Sequence, residues 1–313
     1  MKAQHLIAAL SLLSGVYALP LAAQQPLHFT VKAGEVKAPV APGMWGIFFE
    51  DINLSADGGI YAELVKNRSF EFKTPLMGWS IPKETAAGGQ VLVGNRRGTN
   101  AANPRFARVT VLDTRKFSFV NEGFRGMGIK AGEQYNFSVY ARQQGNNPVK
   151  MTITLLDEAG KEIGTAAVSP AGNSWQQYKA SFTATATAPK ARLLVQFSGP
   201  GIIDVDMVSL FPQHTWKQRS NGLRADLVQL LADLHPGFLR FPGGCIVEGS
   251  ELINRYQWKK TVGNVNERQV IINRWNTEFP ARLTPDYFQS FGLDFFEYFQ
   301  LAEDIGASPL PIL

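Results

Sequence analysis

The stretch Phe238-Leu239-Arg240-Phe241-Pro242-Gly243-Gly244-Cys245 limits what this chain can fold into more than any other part of it. An apolar run ends there in a turn through which neither helix nor strand can continue. Pro242 fixes φ and has no N–H to give, while Gly243 and Gly244 reach conformations closed to other residues. A helical pattern stops just before it. Leu223, Leu227, Leu230, Leu231 and Leu234 recur at helical spacing behind a cap expected at Ser220-Asn221. His235-Pro236-Gly237 ends that helix, and His235 reads as its C-terminal residue rather than a ligand. Helix, strand and glycine turn suit a fold of alternating strands and helices, in which chemistry gathers at the C-terminal ends of the strands. The turn aims Arg240 and Cys245 at one place, although alone it is equally consistent with a tight turn that binds nothing.

A second stretch far upstream has the same character. Met44 to Phe49 is a continuous apolar run, as expected of a strand buried on both faces, and it ends in Glu50-Asp51. Two acids at the mouth of an apolar strand need partners or water. Being adjacent in one strand they point to opposite faces and cannot act as a catalytic pair. Before this run, Leu27 to Val40 alternates as a strand or hairpin would. After it, Asp57-Gly58-Gly59 marks a turn and Ile60 to Val65 a short helical stretch.

From about Leu76 to Pro212 the pattern changes to short alternating runs between Gly, Asn and Pro. Phe106–Leu112, Tyr135–Ala141, Val149–Leu156, Trp175–Phe182, Ala191–Phe197 and Ile202–Phe211 read as strands of an antiparallel β-sandwich. Trp79, Trp175 and Tyr140 are candidate sugar platforms there, with Trp175 fitting ordinary strand packing better. Beyond Pro285, Asp294 can cap a helix carrying Phe295, Phe296, Phe299, Ala302 and Ile305. Ser308 to Leu313 then starts another strand. That final strand lacks a following neighbour, so the sequence is expected to be truncated.

Met1-Lys2, the apolar run Leu6–Ala18 and Leu21-Ala22-Ala23 read as an export signal, too short to span a bilayer. The 313 residues are 45% hydrophobic and 18% charged, which is globular composition. A net charge of +5 without a dense basic block argues against a nucleic-acid partner. The single cysteine, Cys245, rules out an internal disulfide. Four scattered histidines make a metal site improbable, and neither a phosphate loop nor a Gly-x-Ser-x-Gly elbow is present. An acid, an arginine, a glycine turn and tryptophans at neighbouring strand ends suit a neutral polyol.

Gly46-Ile47-Phe48-Phe49-Glu50-Asp51-Ile52-Asn53, Gly58-Gly59-Ile60-Tyr61-Ala62-Glu63-Leu64 and Asn67-Arg68-Ser69-Phe70-Glu71 resemble the opening of α-L-arabinofuranosidases of glycoside hydrolase family 51. Leu239 to Cys245 is similar to that family's second strand and loop, with Trp258-Lys259 just after. Gly292-Leu293-Asp294-Phe295-Phe296-Glu297 through Gly306-Ala307 is similar to the helix before its third strand. The resemblance covers nearly all of the expected mature chain.

It implies an α/β plus all-β protein: the N-terminal part of a (β/α)8 TIM barrel, interrupted by a jelly-roll-like, carbohydrate-binding-like sandwich and incomplete in this chain. The expected divisions are a signal peptide at 1–23, an N-terminal strand segment at 24–43, the first βα part at 44–75, the inserted sandwich at 76–213 and the barrel's continuation at 214–313. The implied activity is exo-acting, retaining release of terminal α-L-arabinofuranosyl residues from arabinan or arabinoxylan. Retention needs two carboxyl groups about 5 Å apart. The resemblance puts the acid/base and nucleophile glutamates past Leu313, so this chain alone is expected to be inactive. It makes Glu50, Cys245, Gly244 and Trp258 substrate-binding, with Trp79 and Trp175 as sugar-binding candidates in the sandwich. No metal and no cofactor are expected. Partners are arabinose-containing polysaccharides or oligosaccharides, without nucleic acid or membrane, and homo-oligomerisation of the full-length form stays open. Export to the periplasm or the outside is expected. Two alternatives remain: a non-catalytic carbohydrate-binding protein acting through the sandwich, and a barrel glycosidase acting on another furanoside or on xylan.

Overall fold

The computed structural model describes residues 28–95, 100–278 and 288–313. The expected signal peptide therefore lies outside the described residues. Two units are distinguished, residues 1–41 and Pro42–Leu313. In the first, residues 28–41 form no strand, contrary to the alternation from Leu27 to Val40. Phe29, Val31, Val36 and Val40 are exposed, and a turn at Ala33-Gly34 carries Glu35 between Lys32 and Lys37. Alternation makes a strand only when a partner takes up its backbone groups.

The second unit begins with β1 (Ile47–Phe48), much shorter than the apolar run that contains it. Phe48 is 52% exposed, so the strand is not buried on both faces as expected. No helix forms at Ile60–Val65 either. These residues run as turns and bridges, with the Ala62 and Leu64 N–H groups donating to Gly222 and Leu210 carbonyls.

Next comes the sandwich: β2 (Trp79–Ser80), α1 (Lys83–Ala86), β3 (Gly89–Asn95), β4 (Arg105–Val111), β5 (Phe117–Asn121), β6 (Met127–Ile129), β7 (Gln134–Gln144), β8 (Lys150–Leu156), β9 (Glu162–Val168), β10 (Gln176–Thr183), β11 (Ala188–Ser198) and β12 (Gly201–Pro212). One antiparallel sheet has the order β10-β7-β12-β4-β3. The other has the order β2-β5-β11-β8-β9, with β6 also pairing with β11. Each central strand alternates. Along β7, Tyr135, Phe137, Val139 and Ala141 are buried and the residues between them are more exposed. Leu193, Val195, Phe197, Ile153 and Phe117 come from the other sheet into the same core, all fully buried.

After the sandwich come α2 (Ala225–Asp233), β13 (Phe238–Phe241), α3 (Cys245–Glu248), β14 (Ile271–Ile272), α4 (Trp275–Glu278), β15 (Phe288–Gln289), α5 (Phe295–Asp304) and β16 (Ser308–Pro311). β13 lies between β1 and β16 and is parallel to both. The helix expected behind Ser220-Asn221 starts later, at Ala225. Its N-cap is Arg224, without a side-chain cap. Asn221 instead sits in a left-handed turn that lets the Trp216 N–H reach the Leu223 carbonyl. Its buried face is Val228 with Leu227 and Leu231 packed beside it, whereas Leu230 and Leu234 are exposed. His235, in left-handed conformation, ends the helix as expected. Asp294 does cap α5, in a reciprocal capping box with Glu297. Tyr298, Leu301 and Ala302 face inward, and Phe296 points out.

The sandwich is joined to the parallel strands by buried polar groups. The Glu63 carboxylate accepts hydrogen bonds from the Ser209 hydroxyl and from the N–H groups of Leu210 (2.9 Å) and Val65 (3.0 Å). Arg68 pairs with it at 3.4 Å. The Tyr61 ring meets Phe211 of β12 edge to face at 5.4 Å. Replacing Glu63 with Ala removes the carboxylate paired with the buried Arg68 and leaves the Ser209, Leu210 and Val65 donors without their acceptor. The unfolding free energy measured with urea should fall by about 3–5 kcal/mol, far more than for Glu35→Ala at the surface.

Candidate functional site

Glu50 follows β1 directly, where the Phe49 N–H donates to the Arg240 carbonyl at 2.9 Å. Its side chain crosses to the loop after β13. Oε1 accepts from the Ile246 N–H at 2.9 Å and from the Gly244 N–H at 3.3 Å. These amides open α3 and have no partner within that helix. Gly243 makes the approach possible: its φ is +143°, and a Cβ there would lie 2.5 Å from Glu50 Oε1. Gly244 is different, because a Cβ on it would meet only Arg240 Nη2 at 3.7 Å. Oε2 of Glu50 takes no hydrogen bond from the described residues. The structure thus brings Glu50, Gly244 and Cys245 together. Cys245 is a half-buried free thiol at the first position of α3. Arg240 lies 4.5 Å over the Phe48 ring.

Trp258 is linked to the end of β13 through aromatic packing. It is 36% exposed and stacks on Phe295 at 5.0 Å, and Phe295 meets Phe241 at 6.3 Å. Phe241 in turn stacks on Tyr298 at 4.7 Å, immediately before the Pro242 turn. An indole held on one side by a phenyl ring is a rigid surface for sugar C–H groups.

Behind Glu50 lies a layer of buried acids that the sequence only hinted at. Asp51 is buried, and its Oδ1 accepts from the Ala56 N–H (3.0 Å) and the Ser55 hydroxyl (3.2 Å). Burial above all, and then the charge of Asp57, pushes its carboxyl up to about 7. Asp57 is held by the Ser290 N–H and hydroxyl, both at 2.8 Å, and burial raises it also. Burial likewise pushes Asp294 up to about 7, where it accepts from the Tyr256 hydroxyl. Glu50 and Asp51 turn to different partners, as their adjacency in the sequence required. The long loop carrying Trp258 is fastened by Arg268, whose guanidinium reaches Glu297 at 2.8 and 3.0 Å. Neither that pair nor the Asp51–Asp57 proximity can be read from sequence spacing.

In the sandwich the candidate tryptophans separate. Trp79 is 8% exposed. It stacks on Phe70 at 5.7 Å and donates its indole N–H to the Asn67 carbonyl at 3.1 Å, so it is a core residue and no sugar platform. Trp175 is half-buried on the outward side of the five-stranded sheet, against Phe106 and Arg142. Tyr140 is on the same outward face, paired with Asp206. Among the described residues no group of three or more His, Cys, Asp or Glu is placed to hold a metal ion, and no helix is long and apolar enough to cross a membrane.

Two outcomes test this geometry. Gly243→Ala should cost about 2–4 kcal/mol in chemical denaturation, because a Cβ must displace the Glu50 carboxylate and take an unfavourable φ. Gly244→Ala should cost under about 1 kcal/mol. The second concerns pH. Asp51 holds its proton more tightly folded than unfolded, so its contribution is fully present below the unfolded value near 3.8 and is lost as pH rises through about 7. Asp51→Asn removes that titration. Between about pH 4 and pH 7 the parent should lose stability relative to the variant, by up to about 4 kcal/mol.

Comparison with known proteins bears on both parts of the structure. Residues 230–313 match the family described as Alpha-L-arabinofuranosidase 1 domain, and residues 62–201 match Carbohydrate binding domain. An extracellular exo-α-L-arabinofuranosidase of Streptomyces chartreusis is 39% identical over 91% of this chain and 34% of its own length. α-L-Arabinofuranosidase 1 of Arabidopsis thaliana is 35% identical over 87% of this chain and 40% of its own. The solved structure of an arabinose-bound GH51 α-L-arabinofuranosidase superposes with a TM-score of 0.76 at 30% identity, covering 86% of this chain and 44% of that one. The chain thus spans 34–44% of the length of these relatives. Over about nine-tenths of its length the homologues of this chain are α-L-arabinofuranosidases, and the resemblance to glycoside hydrolase family 51 that its motifs suggested holds.

Proposed function

We propose that this chain forms one wall of the sugar-binding site of a retaining α-L-arabinofuranosidase that removes terminal α-L-arabinofuranosyl residues from arabinan or arabinoxylan. The observation that carries this is the state of Glu50: Oε1 is fixed by the Ile246 and Gly244 N–H groups, and Oε2 is left for a sugar hydroxyl. A carboxylate immobilised by backbone amides binds a hydroxyl with little further loss of freedom. Cys245 lies beside the pocket, and Trp258 offers its ring to the sugar's C–H face. β1, β13 and β16 are the first three strands of a (β/α)8 barrel into which the sandwich is inserted, with bounds at 76–213.

Glu50 and Asp51 do not supply the retaining pair, since one faces the β13 loop and the other is buried against Ser55 and Ala56. The acid/base and the nucleophile are contributed by polypeptide outside residues 1–313. Export is part of the same proposal, supported by the leader-like residues 1–23 and by the extracellular relative. The reading as a glycan binder acting only through its sandwich is less well supported, because the relatives' likeness extends through the Glu50 and Gly243 motifs.

Calorimetric titration of the 313-residue protein with an arabinofuranosyl-terminated oligosaccharide tests the site. Glu50→Ala and Trp258→Ala should each weaken binding at least about tenfold, equivalent to about 1.4 kcal/mol. Unchanged affinity in a folded Glu50→Ala protein would overturn the role of Glu50. Turnover of an aryl α-L-arabinofuranoside by the chain alone would overturn the placement of the catalytic pair.

A further inference from the structure

Glu50 joins the end of β1 to the start of α3 with one side chain. Two consecutive residues of a distant segment, Asn273 and Arg274, join the same two elements a second time. They follow β14, which pairs antiparallel with β15. That ribbon is anchored to the chain after β1: Phe288 of β15 stacks on Phe72 at 4.0 Å, and Ser290 holds Asp57. Asn273 and Arg274 therefore start from a fixed place.

Asn273 is fully buried, and both ends of its amide are used. Oδ1 accepts from the Trp275 N–H at 2.9 Å, a local bond that asparagine commonly makes ahead of a short helix. Nδ2 donates to the Asp51 carbonyl at 2.8 Å, across 222 positions of sequence. A backbone N–H on one side and a carbonyl on the other permit a single orientation of the amide. The Glu50 carbonyl accepts from the Ser55 hydroxyl at 3.0 Å. Both peptide units that follow the Glu50 Cα are thus held, which opposes any rotation that would withdraw its carboxylate from α3.

Arg274 takes hold of the other element. Nη1 donates to the Gly249 carbonyl, directly after α3, and also lies 3.6 Å from the Glu248 carboxylate. Glu50 grips the beginning of α3 and Arg274 its end. With four residues, α3 is too short to keep its place through its own hydrogen bonds. The Asn273-Arg274 pair sets the span between the end of β1 and α3, and Glu50 Oε1 reaches the Ile246 amide across that span.

We infer that Asn273 and Arg274 are positioning residues of the sugar site, which act on the sugar only through Glu50 by holding its carboxylate on the α3 amides. This rests on the reading of Glu50 as a sugar-binding carboxylate and names the segment that preorganises it.

Two measurements on the whole chain test it, and the first needs no ligand. Hydrogen exchange at the Ile246 amide reports its bond to Glu50. In Asn273→Ala and in Arg274→Gln it should quicken at least about fivefold relative to the amides of β11. Exchange unchanged on that scale would overturn the proposal. The second is a double-mutant cycle read by calorimetric titration with an arabinofuranosyl-terminated oligosaccharide. Asn273→Ala should weaken binding about fivefold or more in the parent and have no effect in a Glu50→Ala background. Arg274→Lys, which keeps the charge but not the planar fork, should recover part of the affinity lost in Arg274→Gln. Equal losses with and without Glu50 would overturn the proposal and leave the role of Glu50 intact. A lower melting temperature with unchanged affinity would mark a purely structural role and would also overturn it. Unchanged affinity of Glu50→Ala itself would overturn the role of Glu50 and this proposal with it. If Asn273→Ala does not fold, Arg274→Gln takes its place in the cycle with the same outcomes.

Discussion

The carboxylate of Glu50 is the tie on which the candidate site depends. β1 and β13 are short, and their parallel pairing alone would leave the loop after β13 free to move. Glu50 joins the end of the first strand to the beginning of α3 through the Gly244 and Ile246 amides, fixing the loop that carries Cys245. The arrangement tolerates no side chain at residue 243, which is why the turn has glycine there. Partly buried carboxylates often pair with cations, but backbone amides serve here, and one oxygen takes no hydrogen bond from the described residues.

Behind that tie, the chain uses buried polar groups where a simpler protein would use apolar contact. Glu63 and Arg68 join the segment after β1 to β12, Arg268 joins the long loop to Glu297, and Asn103 reaches the carbonyls of Asn266 and Arg268. The contacts link residues up to 165 positions apart, so they place the sandwich and the strand ends in one arrangement. Such pairs add less stability than apolar packing, but a wrong alignment leaves their charges unpaired. Precise placement of Glu50 and Trp258 follows from that penalty.

The two halves were legible in the sequence to different degrees, for physical reasons. Central sandwich strands such as Tyr135–Ala141 announce themselves because one face is core and the other is not. Phe117–Asn121 does not, since all five of its residues are buried and the alternation disappears. Glu162–Val168 is hidden by small residues, and Leu27–Val40 alternates without forming a strand. The glycine turn and the Asp294 cap were readable because each is fixed by local backbone chemistry. The late start of α2 at Ala225 was not, because Asn221 lies in a left-handed turn closed by the Trp216 N–H on the Leu223 carbonyl. In the sequence Trp175 fitted ordinary strand packing better than Trp79, and the packing of Trp79 against Phe70 and Phe119 reverses that order. Asp204 lies far from Arg108 and Arg142 in sequence and meets them only through strand register.

The fold brings the Glu50 carboxylate at the end of β1 against the loop after β13, in a chain whose relatives are named α-L-arabinofuranosidases. Glu50 is central to the first because it holds the loop with one oxygen and offers the other. A crystal structure of the protein with an arabinofuranosyl-terminated oligosaccharide would test this dual use most directly. Glu50 Oε1 should remain on the Ile246 amide while Oε2 accepts a hydrogen bond from a sugar hydroxyl, with the ring against Trp258. A sugar bound elsewhere, or a Glu50 side chain swung away from the amides to reach it, would contradict the assignment.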